Sequence, residues 1–399
     1  MKELILILTL IISLNSYSQW TQISVPTTSG LNNAFFVDEN IGYIVGGGEF
    51  NGYPDPNSDG IILKTTDGGN NWVTIYSQNG ISLNYIFVIN NNIFVYGRDA
   101  SGQPLQLISN DNGVNLTQST PNFNTNSMYF SDNIIYTFDF ENNTTKIKKI
   151  ENGNISTIIT NVGLFGVNGN ELLYINTQFN TIYKSINYGV NWVALSNYPT
   201  GFGSDQSSSS SIKSFGDIII THYTYPNHIT YSTDNGNTWI DNIDNIATNK
   251  AIIINNSTLY SISLNNTVAY TNNLIVWQQQ LDTGSIKLRN IYFYNNNLGF
   301  VLGDNGLLYK TENGGLSTNN TEILEKKIKV FPNPIKNNIK IEFTDIKIKK
   351  IELIGINGKL IKTYKSNFND LKICTISKGS YILKIETEKG VLNKKILIE

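Results

Sequence analysis

Residues 65–72 read Thr-Thr-Asp-Gly-Gly-Asn-Asn-Trp, and residues 232–239 read Ser-Thr-Asp-Asn-Gly-Asn-Thr-Trp. Both fit Ser/Thr-x-Asp-x-Gly-x-x-Trp, a pattern whose residue types explain one another. In a tight hairpin a short Asp side chain accepts N–H groups of its own turn, and Gly supplies the positive φ that the reversal demands. Trp then begins the next strand and buries its ring between neighbouring sheets. Thr65, Asp67, Gly69 and Trp72, with Ser232, Asp234, Gly236 and Trp239, are therefore read as a structural staple.

Working outward, weaker copies stand at Ser109, Asp111 and Gly113, with Leu116 in the Trp place, and at Ser185, Gly189 and Trp192, with Asn187 for Asp. Two more have decayed: residues 271–277 end in Trp277 but lack the Gly, and residues 311–315 stop after Gly315. The Trp place falls at 72, 116, 192, 239 and 277, in steps of 44, 76, 47 and 38, and the long step is expected to hide a copy near residues 146–154. Periods near 40 mean an array. Each period also carries the same strands ahead of its turn. In the first, Gly42-Tyr43-Ile44-Val45-Gly46 precedes Ile61-Ile62-Leu63-Lys64-Thr65; in the last, Gly299-Phe300-Val301-Leu302-Gly303 precedes Leu307-Leu308-Tyr309-Lys310. Four short strands per period make a propeller blade.

With these motifs in hand, residues 20–318 resemble a β-propeller of the Asp-box (bacterial neuraminidase repeat) kind, as in sialidases and photosystem II assembly factors. The expected fold class is all-β: a seven-bladed β-propeller, six or eight blades being the alternatives, followed by a small β-sandwich. The last copy lacks its Trp strand, whereas Trp20-Thr21-Gln22-Ile23 has no hairpin before it. Residues 20–24 are thus expected to supply the outer strand of the last blade, beside Tyr309.

Both ends read as addresses. An apolar run from Leu4 to Leu14, followed by small residues at 16 and 18, predicts a secretory signal peptide over residues 1–18. The run is well short of a bilayer span. At the other end, Phe331-Pro332-Asn333-Pro334 precedes strands that alternate Ile/Leu with Lys/Glu and turn at Asn357-Gly358, so one face enters a core and the other meets water. This stretch resembles the type A C-terminal sorting domain of the type IX secretion system of Bacteroidota. The resemblance implies export to the cell surface or medium, with the secretion machinery as partner. The domains are read as 1–18, 19–320 and 321–399.

Charge divides the chain in the same way. Residues 1–322 hold 12 Lys+Arg against 23 Asp+Glu, and residues 323–399 hold 17 against 8. The lysines alternate along strands instead of clustering with stacking aromatics, which argues against nucleic acid as a partner. The whole chain has two arginines, Arg98 and Arg289, two histidines and one cysteine, Cys374. An internal disulfide is excluded, and no Cys/His zinc cluster is available. Sialidases, which this scaffold resembles, use three arginines for the substrate carboxylate, so that activity is not expected to carry over. No Gly-x-Ser-x-Gly elbow accompanies a histidine, and no pair of carboxylates is singled out, so the catalytic residues stay unassigned.

In a blade the second-to-third and fourth-to-first connections share one face, and the stapled turns lie on the other. Long connections mark the candidate binding face: residues 47–60 with Glu49, Tyr53, Asp55 and Asp59; residues 98–104 with Arg98; residues 198–211; and residues 223–228 with Tyr225 and His228, close to His222. The leading expectation is a monomeric binding module for an extracellular glycan or protein. The alternative is a polysaccharide hydrolase or lyase using two carboxylates on that face. No cofactor is expected; residues 55–59 offer oxygens for Ca²⁺ without a full ligand register. His222 and His228 lack a third ligand, so no metal site is assigned.

Overall fold

The computed structural model describes residues 20–50, 53–125, 127–176, 181–195, 211–224, 227–242, 248–255, 258–272, 277–315, 324, 327–344, 346–356, 358–373, 375–387 and 390–399. The expected signal peptide and Cys374 lie outside the described residues. No helix among the described residues is long and apolar enough to cross a membrane.

Up to residue 315 the described chain forms antiparallel four-stranded sheets, apart from one two-stranded hairpin. The first sheet runs Leu31–Phe36, Gly42–Gly46, Asp59–Thr65, Val73–Asn79, in chain order. Five further sheets repeat that order, with first strands Ser82–Ile89, Met128–Ser131, Val162–Asn168, Ser211–Phe215 and Thr248–Asn255. The seventh takes Leu288–Phe293, Gly299–Gly303 and Leu308–Thr311 from its own stretch and Thr21–Gln22 from the start of the chain. Thr21 lies opposite Lys310 and Gln22 opposite Tyr309, and the Ile23 N–H donates to the Leu308 carbonyl at 2.9 Å.

Alternating apolar residues give each sheet two buried faces, and an apolar cluster fills the space between each sheet and the next. A further cluster joins the seventh sheet to the first, where Leu31, Phe36 and Trp72 meet Phe300, Leu302 and Leu308. The Trp places lie in these seams. Trp72 meets Phe300 of the preceding sheet edge-on at 6.3 Å. Trp20, 1% exposed, sits edge-on to Tyr260 of the sixth sheet at 6.2 Å and to Phe293 of the seventh at 5.9 Å.

The stapled turns follow the chemistry of their residues. Thr65 Oγ1 donates to Asp67 Oδ1 at 2.8 Å and accepts from the Gly69 N–H at 3.0 Å. Asp67 Oδ1 also accepts from the Asn71 N–H at 2.9 Å, and the Trp72 indole N–H donates to the Gly69 carbonyl at 3.1 Å. The same bonds hold Ser232, Asp234, Gly236 and Trp239, and, with Asn187 in the Asp place, Ser185, Gly189 and Trp192. Ser109, Asp111 and Gly113 repeat them without the indole, and Thr311, Asn313 and Gly315 without the Asp. The missing indole of the last turn arrives from the other end of the chain: a Cβ on Gly315 would stand 3.0 Å from Trp20 Nε1. A lysine just before the staple then ties its turn to the next. Lys64 donates to the Asn112 carbonyl at 3.2 Å, Lys184 to Asn235 Oδ1 at 2.6 Å and Lys310 to Asn70 Oδ1 at 2.8 Å.

The copy expected near residues 146–154 is corrected in detail. Thr144–Glu151 and Asn154–Thr160 are the third and fourth strands of the third sheet, but a two-residue Asn152-Gly153 turn joins them. Both turn residues have positive φ, at 50° and 78°, so a primed hairpin turn replaces the staple.

Beyond residue 327 two smaller sheets follow. One holds Ile328–Phe331, Asn338–Phe343 and Asp370–Lys372; the other runs Leu360–Tyr364, Ile348–Gly355, Gly379–Thr387, Gly390–Ile398. One apolar cluster draws on both, joining Ile339, Ile341 and Leu371 to Leu353, Leu383 and Ile385. The alternate residues face out and pair, as Lys350 with Glu352 at 2.9 Å and Lys384 with Glu386 at 3.5 Å. Asn333 fastens the Pro-Asn-Pro segment to the last strand, its Oδ1 accepting from the Leu397 N–H at 2.9 Å.

Candidate functional site

The long connection over residues 47–60 folds back as a second hairpin, Glu49–Phe50 against Tyr53–Pro54. It brings Glu49 to the start of the second sheet, where Oε1 accepts from Asn84 Nδ2 at 3.2 Å and Ser82 Oγ at 3.5 Å. Asn84 Oδ1 accepts from Asn32 Nδ2 at 3.0 Å, and Asn32 Oδ1 accepts from Arg289 Nη1 at 2.5 Å. Arg289 also donates to the Gly47 carbonyl at 2.8 Å and pairs through Nε with Asp304. A polar chain thus crosses from the seventh sheet through the first to the second, at the end of the sheets opposite the stapled turns. Glu49 faces Tyr85, whose hydroxyl is pushed up to about 12, chiefly by burial, with a main-chain hydrogen bond at Met128 opposing and the Glu49 charge reinforcing the shift.

The other expected residues do not all converge. Asp55 accepts from the Asn57 N–H at 2.8 Å and so closes its own turn, whereas Asp59 accepts from Ser77 Oγ at 2.9 Å and Asn79 Nδ2 at 3.2 Å on the neighbouring strand. The two acids serve different structural bonds, and no group of three or more His, Cys, Asp or Glu is poised for a metal ion among the described residues. The backbone of Tyr53 pairs with that of Phe50. Residues 223–228 are not the long connection the sequence suggested. Tyr223 pairs with His228 and Thr224 with Asn227, so the strands meet in a short hairpin, with His222 opposite Ile229. Tyr225 and residues 198–210 lie outside the described residues.

Arg98 has a different setting. It ends the second strand of the second sheet and lines an open cleft of about 580 Å³, with Pro104, Phe123, Asp139, Phe140, Glu141 and Lys148 among the other walls. The wall on the third sheet exists because strands Ile134–Glu141 and Thr144–Glu151 stay paired out to Glu141 and Thr144. Asn142 and Asn143, at φ 53° and 58°, make the two-residue reversal. Lys148 Nζ stands 2.5 Å from Asp139 and 3.9 Å from Glu141. Phe140 between them is 62% exposed, an unusual place for a ring of that size. Sequence reading did not select Asp139, Phe140, Glu141 or Lys148. The available signal was an aromatic residue at a hairpin tip, next to the strand pair where no staple is found.

Residues 329–399 match the family model of the secretion system C-terminal sorting domain. Among solved structures, that of YCF48 bound to D1 peptide is similar with a TM-score of 0.53 at 14% identity, over 74% of this chain and 96% of that one. YCF48 from Cyanidioschyzon merolae is similar at 0.51 and 16% identity, over 73% and 98%. The WD40 β-propeller domain of Doa1 gives 0.47 and 12%, over 73% and 94%. The comparison with curated proteins gives no match. The chain is therefore all-β with a propeller-like fold, and it ends in a type IX sorting tail, which marks a protein that is secreted or attached to the outer cell surface.

Proposed function

We propose that residues 19–320 form one closed seven-bladed propeller of the Asp-box kind, that residues 321–399 form a β-sandwich read by the type IX secretion machinery, and that outside the cell the propeller binds an extracellular glycan or protein. Ring closure is supported by the pairing of Thr21 with Lys310, by the cluster joining the first and seventh sheets and by the bond from Lys310 to Asn70. The observation that carries the binding role is the cleft between the second and third sheets. There Phe140 stands exposed among Arg98, Asp139, Glu141 and Lys148, on the face away from the stapled turns. An apolar ring framed by charges suits sugar stacking or contact with a peptide side chain.

The test is a glycan array and a panel of extracellular matrix proteins, probed with wild type, Phe140→Ala and Arg98→Gln. A ligand bound by wild type should be bound at least about tenfold more weakly by Phe140→Ala, the loss of one buried aromatic contact, with an unchanged melting temperature. Undiminished binding by both variants would remove the cleft from consideration. A hydrolase or lyase reading keeps one specific support, since Asp139 and Glu141 both line the cleft. Polysaccharide turnover abolished by Asp139→Asn or Glu141→Gln would favour it.

A further inference from the structure

The first strands of the seven sheets, innermost in the closed ring proposed above, contain three charged side chains, all cationic: Lys213, Lys250 and Arg289. Residues 1–322 otherwise carry nearly twice as many acids as bases. Arg289 is committed to Asp304 and Asn32. Lys213 and Lys250 form no ion pair with a carboxylate among the described residues, and each keeps partial contact with solvent.

Lys213 Nζ stands 5.6 Å from the centre of the Tyr129 ring. Lys213 belongs to the fifth sheet and Tyr129 to the third, so the side chain reaches past the inner edge of the fourth. In a closed ring that path lies along the central channel. Lys250 stands on the first strand of the neighbouring sixth sheet. Removal from water, and then the Lys213 charge, push Lys250 down to about 8, and burial pushes Lys213 down as well. Among the described residues the other titratable groups toward this space are the Tyr85 and Tyr129 hydroxyls, both pushed up chiefly by burial and neutral near pH 7, with the Glu49 charge reinforcing the shift at Tyr85. Two ammonium groups on the first strands of neighbouring sheets, without a described counter-charge, favour whatever brings an anion between them.

We propose that the central channel binds the oxyanion group of a small acidic ligand, a carboxylate or a sulfate such as acidic sugars carry, with Lys213 and Lys250 holding its oxygens beside the Tyr129 ring. The site rests on the closed ring of the preceding reading, and it is separate from the cleft at Phe140. Lysines act as point charges, so either oxyanion is chemically admissible.

The experiment is calorimetric titration and thermal unfolding of the full chain with galacturonate, inorganic sulfate and galactose as a neutral control, at pH 6.5 and 9.5. Galacturonate or sulfate should bind and raise the melting temperature by several degrees at saturating concentration, and galactose should not. Whichever anion acts identifies the group. Affinity should fall on the order of tenfold by pH 9.5, because the neutral form of Lys250 cannot attract the anion. Lys250→Arg should bind at both pH values. Lys213→Met/Lys250→Met should lose the response yet melt no lower than wild type without ligand, since it removes two uncompensated charges. The site is overturned if neither anion binds, if galactose acts as well as they do, or if the double Met variant melts lower and still binds. Binding on the glycan array with no anion response would overturn this site alone. An anion response without array binding would support it while removing the reading at the cleft.

Discussion

Replacing Trp20 with Ala should unfasten the seventh sheet as well as leave a hole. The indole is 1% exposed and packs edge-on against Tyr260 and Phe293. Burial of about 200 Å² at ~25 cal/mol per Å² is worth roughly 5 kcal/mol, and Trp-to-Ala changes in cores cost about 3–5 kcal/mol. Against this, the strand that Trp20 anchors has two paired residues and one further bond, from Ile23 to Leu308. Without the indole, those few main-chain bonds are what pairs residues 21–23 with the seventh sheet, so the strand should fray even though the cluster between the first and seventh sheets persists. In urea titration Trp20→Ala should lose about 4 kcal/mol, and hydrogen exchange should show lost protection along residues 308–311. Trp72→Ala is the control, because Trp72 is 6% exposed in an equivalent seam but is held within a continuous stretch of chain. It should lose comparable stability while residues 308–311 stay protected. A loss below about 1 kcal/mol for Trp20→Ala, or the same exchange pattern in both variants, would refute the reasoning.

Two further outcomes follow from the staples and the polar chain. The Asp67 carboxyl is held down at about 2 by the Asn71 side chain and main chain with Thr65, Asp111 likewise by Asn115 and Ser109, and Asp234 is lowered by Thr238. Each folded-state value lies below its unfolded one, so the stability they contribute is complete above about pH 4 and drains away as pH falls toward 2. Asp67→Asn/Asp111→Asn/Asp234→Asn should flatten the melting temperature over that window, as Asn187 already makes equivalent bonds without a titrating group; an unchanged acid slope would contradict this. Arg289→Met should cost about 2–4 kcal/mol in denaturant titration, since it strands the Asp304 carboxylate and Asn32 Oδ1 and leaves the Gly47 carbonyl with the long Asn32 bond. A neutral substitution there would mean the network is not under load.

What could be read from sequence was whatever local backbone geometry dictates. Gly69 and Asp67 are required by their own turn, and Trp20 lacked a hairpin of its own, so its partner was inferable near Tyr309. The third sheet escaped because its Asn152-Gly153 turn solves the same reversal with other residues. The site was less legible, since its bonds join residues far apart in the chain: Arg289 reaches Asn32 and Glu49 reaches Asn84. A list of loop acids cannot say that Asp55 caps its own turn while Asp59 braces the next strand. Lys213 and Lys250 become conspicuous only when the first strands are aligned with one another, because each alone is an ordinary lysine in a β-strand.

The chain leaves the seventh sheet through the stapled turn at residues 311–315, the side where Lys310 reaches across to Asn70. In the closed ring proposed above, this turn and the Phe140 cleft lie on opposite faces. A bulky glycan or protein seated at Phe140 would then have no need to cross the last staple, where the described part of this region stops.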